Sequence, residues 1–150
     1  MTCIADANVL FPLLVDRHAA NASAWRWWEQ QSDGSVGLCL LMHLAVLRLL
    51  TNRTAMNGAP IAPAAALKAW KQLADDPRCF SVDAEPVSHE ARFVQLVSGR
   101  EATPNLWTDA WLAALAQSLD YELATFDRGF RSFKGLRLRL LSITGASDVS

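Results

Sequence analysis

The chain has 150 residues, 51% hydrophobic and 19% charged, with a formal net charge of −1. That length can bury a core as one domain spanning residues 1–150, and the near-neutral charge excludes a broad basic surface but leaves room for a local basic groove. No uncharged apolar run reaches the roughly 18 residues of a membrane span and no leader pattern precedes the first strand, so a cytoplasmic protein without membrane contact is expected.

In chain order, Thr2-Cys3-Ile4-Ala5 reads as a short buried strand, followed by Asp6 where the strand stops. A short helix is predicted over Val9 to Val15, a loop at Asp16-Arg17-His18, and a second helix from about Ala19 to Gln31, stopped by Ser32-Asp33-Gly34. Val36 to Leu38 or Cys39 is the second strand. Leu40 to Leu50 is a helix that is apolar almost all round apart from His43 and Arg48, a pattern that belongs in a core or under a partner. A polar loop from Thr51 to Pro60 precedes a helix opened by Pro63 and running to about Ala74.

Cys79 to Val82 is the third strand, Ser88 is placed to cap a helix to about Val97, and residues 98–104 form a loop. Asn105 is placed to cap the long helix Leu106 to Leu119. Leu123 to Thr125 is the fourth strand, Asp127 to Phe133 a short helical turn, and Leu136, Leu138 and Leu140 alternate with Arg137 and Arg139 in a fifth strand with one wet face, hence an edge. Strands alternating with helices predict an α/β fold whose parallel sheet is covered on both faces. Three cysteines, Cys3, Cys39 and Cys79, are odd in number and lack metal-ligand spacing, so they read as reduced core residues.

Three carboxylates stand out by position. Asp6 and Asp127 each follow a strand, the usual ligand position at the carboxyl edge of an open α/β sheet, and Asp109 sits one turn into an otherwise apolar helix. If the first and fourth strands are neighbours, the three share one cleft. Such a cluster repels itself unless a cation fills it, and hard oxygen ligands suit Mg²⁺ or Mn²⁺, which can polarise a phosphoryl oxygen and activate water for attack on a phosphodiester. The plain structural alternative is that Asp6 and Asp127 only cap helices. It does not extend to Asp109, because an unpaired charge within Leu106-Trp107-Thr108-Asp109-Ala110-Trp111-Leu112 is poorly explained by packing.

Asp6-Ala7-Asn8-Val9-Leu10, Val46-Leu47-Arg48-Leu49-Leu50-Thr51, Asn105 to Ala110 with Leu112 to Ala116, and Ala124-Thr125-Phe126-Asp127-Arg128-Gly129-Phe130 together resemble a PIN domain of the VapC type, the toxin of a type II toxin-antitoxin pair. The resemblance runs from Thr2 to about Leu141. It implies a three-layer α/β/α fold with a five-stranded parallel sheet in the order 3-2-1-4-5, and a Mg²⁺- or Mn²⁺-dependent ribonuclease that cuts structured RNA such as tRNA or rRNA. It also implies a homodimer, silenced by a cognate antitoxin that inserts a segment into the cleft. Asp6, Asp109 and Asp127 match the family's acidic, catalytic and metal-binding positions; Asn8 and Thr125 match frequent polar neighbours of the site.

The sequence departs from the family where a glutamate usually precedes the Leu-Arg of the third helix. Ala45 stands there, and no Asp or Glu occurs between Asp33 and Asp75. Either three acids suffice, or a loop acid such as Asp16 or Glu101 reaches in, or the domain binds RNA or antitoxin without cutting. Arg48 either neutralises the carboxyl end of its helix or pairs with a site acid or RNA phosphate. Arg128 and Arg131, with Lys134, Arg137 and Arg139 beyond, are either a solvated edge or a phosphate track. The six tryptophans read first as packing residues, and the apolar helix Leu40 to Leu50 as the dimerisation face. Phosphatases of the haloacid-dehalogenase type and response-regulator receivers also place an Asp after the first strand, but the second Asp of the former falls here on Asn8, and the paired acids of the latter are missing.

Overall fold

The computed structural model describes residues 1–143; residues 144–150 of the expected 1–150 domain lie outside the described residues. Five short strands, β1 (Cys3–Ala5), β2 (Val36–Leu38), β3 (Cys79–Ser81), β4 (Glu122–Thr125) and β5 (Leu138–Leu140), form one sheet in the order β3-β2-β1-β4-β5, and every neighbouring pair is parallel. Parallel neighbours need crossover connections; six helices lie in those up to β4, α1 (Ala7–Leu13) and α2 (Asn21–Glu29), α3 (Leu40–Leu50) and α4 (Pro63–Ala74), α5 (His89–Val97) and α6 (Leu106–Leu119), and a 3-10 turn lies between β4 and β5.

The order of the strands explains the layers. From β1 the chain steps to β2 and then β3, and right-handed crossovers put α1 to α4 on one face; it then returns past β1 to β4 and β5, which puts α5 and α6 on the other. The result is a three-layer α/β/α sandwich in which β1 is central and the direction of winding reverses between β1 and β4. β1 is accordingly buried at every residue, whereas the edge strands β3 and β5 are only partly covered. At β2 the glycine matters, because a Cβ on Gly37 would stand 3.0 Å from Phe80 Cζ and 3.0 Å from Val82 Cγ2.

Several local expectations need adjustment. The first helix begins at Ala7 rather than Val9, because the Asp6 carbonyl already accepts from the Val9 and Leu10 amides at 2.9 and 3.1 Å. Ser88 and Asn105 occupy the residues before α5 and α6, yet neither side chain caps its helix. At α6 the Asn105 carbonyl takes over, accepting from the Asp109 amide at 2.9 Å. Residues 128–132 form a 3-10 turn (Arg128–Ser132), and the fifth strand starts only at Leu138.

The helix α3 is not buried all round. Met42, Val46 and Leu50 are sunk in the core, while Leu40 and Leu44 are 67% and 56% exposed. His43 stacks face to face on Trp70 of α4, with ring centres 4.3 Å apart. Against α5, the aromatic rings of α6 pack at Phe93–Trp111 and Phe93–Trp107, and the buried His89 Nε2 stands 2.9 Å from the Trp111 carbonyl. No helix of the described residues is long and apolar enough to cross a membrane.

Candidate active site at the reversal between β1 and β4

Parallel pairing sets Ala5 opposite Ala124, so Asp6 and Thr125 are the next residues out on adjacent strands. There the chain builds a polar junction around a fully buried hydroxyl. Thr125 Oγ1 donates its one hydrogen to Asp6 Oδ2 at 2.9 Å and accepts from Asn8 Nδ2 at 3.1 Å and from the Asp127 amide at 3.0 Å. One donor and two lone pairs are all a hydroxyl has, and all are used. Asn8 Oδ1 accepts from the Phe126 amide at 3.2 Å, which fixes the orientation of the Asn8 amide.

Asp6 holds the residue position before α1, but its side chain makes no cap hydrogen bond; its partner is across the sheet. Burial pushes its pKa above the ordinary carboxylate range, the Thr125 hydroxyl and the Ala7 and Asn8 amides pull it back, and the charge of Asp127 adds to the rise. Asp127 is exposed and does cap, accepting from the Gly129 amide at 2.7 Å. A Cβ on Gly129 would come within 3.0 Å of that Asp127 carboxylate.

Asp109 approaches from the helical side. Its helix buries Ala110, Leu112, Ala113, Ala114, Leu115 and Ala116, and the small alanines let α6 lie close to the sheet. The Asp109 carboxylate is half-buried and has no hydrogen-bond or ion-pair partner among the described residues. Its pKa is pushed up to about 6 by desolvation first, then by the charges of Asp6 and Asp127. Asp6 and Asp127 thus add a smaller, repulsive share to a rise that is mainly due to burial. No described ion pair includes any of the three acids.

Among the described residues no three His, Cys, Asp or Glu side chains converge tightly enough to hold a metal ion unaided. Mg²⁺, however, keeps several waters and commonly takes only one or two carboxylates together with substrate phosphate, so an uncompensated, mutually repelling set of oxygen donors fits that ion. Cys3 and Cys79 do not fit as alternative donors, since burial pushes both thiols up to about 12.

Asp109 opens onto a cleft of about 320 Å³ shared with Arg100, Glu101 and Gly129. Of the two loop acids considered in place of a residue at Ala45, Glu101 is on this cleft, whereas Asp16 is exposed in the turn after α1. Arg48 and Arg128 are exposed and form no ion pair among the described residues. The sequence reading missed Arg100. Its guanidinium donates to the Leu96 carbonyl at 2.7 Å, to Ser132 Oγ at 2.9 Å and to the Ser132 carbonyl at 2.6 Å, and lies over the Phe133 ring. Nothing local marks that role, because the Ser132 partner that ties it to the segment after β4 is 32 residues away.

The model of the PIN domain family matches residues 3–136. Ribonuclease VapC41 of Mycobacterium tuberculosis is 32% identical over 143 residues, covering 93% of this chain and 98% of that protein. Ribonuclease VapC29 of the same organism is 29% identical over 135 residues, covering 90% and 92%. Among solved structures, VapBC2 from Rickettsia felis bound to a promoter DNA fragment superposes with a TM-score of 0.66 at 13% identity, covering 95% of this chain and 100% of the matched chain. Mycobacterium tuberculosis VapC20, a toxin that cleaves the sarcin-ricin loop, gives 0.64 at 19% identity, covering 92% and 99%.

Proposed function

The chain belongs to the PIN domain family and groups within it with the VapC proteins, and from that premise we propose that it is a divalent-metal-dependent endoribonuclease, the toxin of a type II toxin-antitoxin pair. The carrying observation is the placing of three acids about the reversal between β1 and β4, with Asp109 half-buried, its pKa pushed up to about 6 by desolvation first and then by the charges of Asp6 and Asp127, and none of the three paired with a cation among the described residues. Burying repelling carboxylates is costly unless a ligand compensates them. The names of the VapC41 and VapC29 relatives support the ribonuclease reading, and the VapBC complexes among the structural neighbours support a cognate antitoxin partner.

In this reading Asp6, Asp109 and Asp127 hold Mg²⁺ or Mn²⁺. When bound, the ion supplies Lewis-acid polarisation of a phosphodiester oxygen and lowers the pKa of water. The chain's own contribution is orientation. Thr125 fixes the plane of the Asp6 carboxylate by holding Oδ2, Asn8 fixes Thr125, and the Asp127 amide closes the junction. Arg48 and Arg128 are exposed cations for RNA phosphates, tRNA or rRNA being the substrate class. The apolar strip of Leu40 and Leu44 on α3 is the face for a homodimer, and the protein acts in the cytoplasm.

The second reading, a domain that binds RNA or antitoxin without cutting, draws on Ala45 and on the absence of a tight three-acid chelate among the described residues. Incubating total tRNA and rRNA with antitoxin-free protein in Mg²⁺, Mn²⁺ or EDTA, beside Asp109→Asn, separates the two. Metal-dependent cutting lost in the variant is expected. Folded protein that binds RNA but cuts it with neither metal would replace the nuclease reading with the binding one.

A further inference from the structure

The cleft beside Asp109 does not end there. It shares Arg100 and Ser132 with a second cleft of about 410 Å³, and that one shares Arg92, Gln117 and Gly135 with a third of about 260 Å³ bordered by Arg137. Together the three adjoining clefts make a groove that starts at Asp109, is bridged where Arg100 bonds Ser132, and follows α5, α6 and the segment joining the 3-10 turn to β5. Its walls are braced. Arg100 holds the Ser132 carbonyl, and Gln117 Nε2 donates to the Lys134 carbonyl at 2.8 Å.

Apart from Asp120, its acids, Glu101 and Asp109, lie at the near end, and its cations lie beyond them. Arg137 is neutralised by Asp120 at 2.9 Å, but Arg92 and Lys134 are exposed and take part in no ion pair among the described residues. Arg100 spends three donors on the protein, and a guanidinium has five. Beyond Glu101 and Asp109 at the near end, the groove therefore presents three cations without an ion-pair partner among the described residues, in a protein whose net charge is −1.

We propose that this groove carries the RNA strand away from the cleavage site, with the flanking phosphates passing over Arg100 to Arg92 and Lys134. The inference rests on the nuclease reading and extends it to the path of the substrate. A polynucleotide suits both ends of the groove, since its scissile phosphate meets a cation held by the acids and its neighbours meet arginine and lysine. An acidic peptide would meet Glu101 and Asp109 at one end. Phosphate contacts of this kind position a strand without reading its bases.

The test measures anisotropy of a fluorescein-labelled single-stranded oligoribonucleotide with protein carrying Asp109→Asn, so that the probe stays intact. Adding Arg92→Ala and Lys134→Ala should weaken binding about five- to tenfold and flatten the slope of log affinity against log salt by about 1.4, two contacts at roughly 0.7 each. Arg26→Ala with Lys68→Ala is the control, removing the same charge from helices that do not line the groove; it should change both quantities by less than half as much. Equal effects of the two pairs, in proteins with unchanged melting temperature, overturn the groove. Cleavage by unsubstituted protein is scored separately. If it cuts and the pairs behave alike, the groove falls and the nuclease reading stands; if it never cuts but the groove pair still weakens binding selectively, the reverse holds.

Discussion

The strand wall and the helix wall of the site hold their carboxylates by different physics, and of the three acids only Asp109 lines the cleft of about 320 Å³. On the strand wall, Asp6 is fixed by a buried hydroxyl that also binds Asn8 and the Asp127 amide. On the helix wall, Asp109 has no polar partner among the described residues; it is placed by the packing of Ala110, Ala113 and Ala114 beneath it. A hydrogen-bonded acid keeps part of its compensation inside the protein, and an unbonded one must find it elsewhere. The difference shows in the electrostatics, where hydrogen bonds offset part of the rise at Asp6 and nothing offsets the rise at Asp109.

The sharpest break in that comparison is Asp109→Asn. Cleavage should fall by at least ~100-fold, because an oxygen ligand is lost from the site, while metal-free stability should rise. Folding raises this group's pKa, so folding favours its protonated form; the cost of its charge is absent below the ordinary carboxylate range and grows as pH climbs through about 6. The variant should therefore melt higher than the parent near pH 8 in EDTA and gain nothing under acid conditions. A lower melting temperature at both would show that Asp109 has a stabilising partner.

Thr125→Val tests the other wall. It keeps the shape but leaves Asp6, Asn8 and the Asp127 amide each short of a partner, and should cost about 2–4 kcal/mol in urea unfolding. Thr125→Ser keeps the hydroxyl and should cost only about 1 kcal/mol, the loss of a methyl group. A valine no worse than the serine would mean that the junction contributes little.

Asn8→Ala removes one arm of the junction while leaving the Thr125 bond to Asp6, so about 1–2 kcal/mol is expected from the same unfolding curve. The smallest effect is a chemical one. Cys3 lies in β1 with its thiol pushed up to about 12, so it should resist a disulfide reagent near pH 8 in the native protein, with or without EDTA, and react faster in Thr125→Val as β1 loosens. Equal rates in the two proteins would separate the junction from the integrity of β1.

The strand wall could be read from the sequence in outline, because a hydrophobic run ending in an acid is a local pattern and Asp6 and Asp127 both follow one. What the pattern could not supply was Thr125 as the centre of the junction. The Asp127 amide is a local partner two residues on, but Asp6 and Asn8 reach Thr125 only through the register that sets Ala5 beside Ala124. The same limit explains other differences. Leu40 and Leu44 are as apolar as Met42 and Val46, and only the packing of α1 and α4 decides which side of α3 is covered. Ser88 and Asn105 have the right chemistry for caps, but at α6 the Asn105 carbonyl takes the Asp109 amide instead. Arg100 gains Ser132 and the Phe133 ring only when the segment after β4 comes back to it.

The strand order also imposes a timetable. β1 is the first strand to leave the ribosome, but the neighbour that completes its polar junction contributes Thr125, 119 residues later than Asp6. A chain halted anywhere before that point carries Asp6 and Asn8 without the hydroxyl that joins them. The cleft cannot exist on an unfinished polypeptide, so whatever it binds or cuts meets it only once translation has passed the far wall and β4 has slid in beside β1.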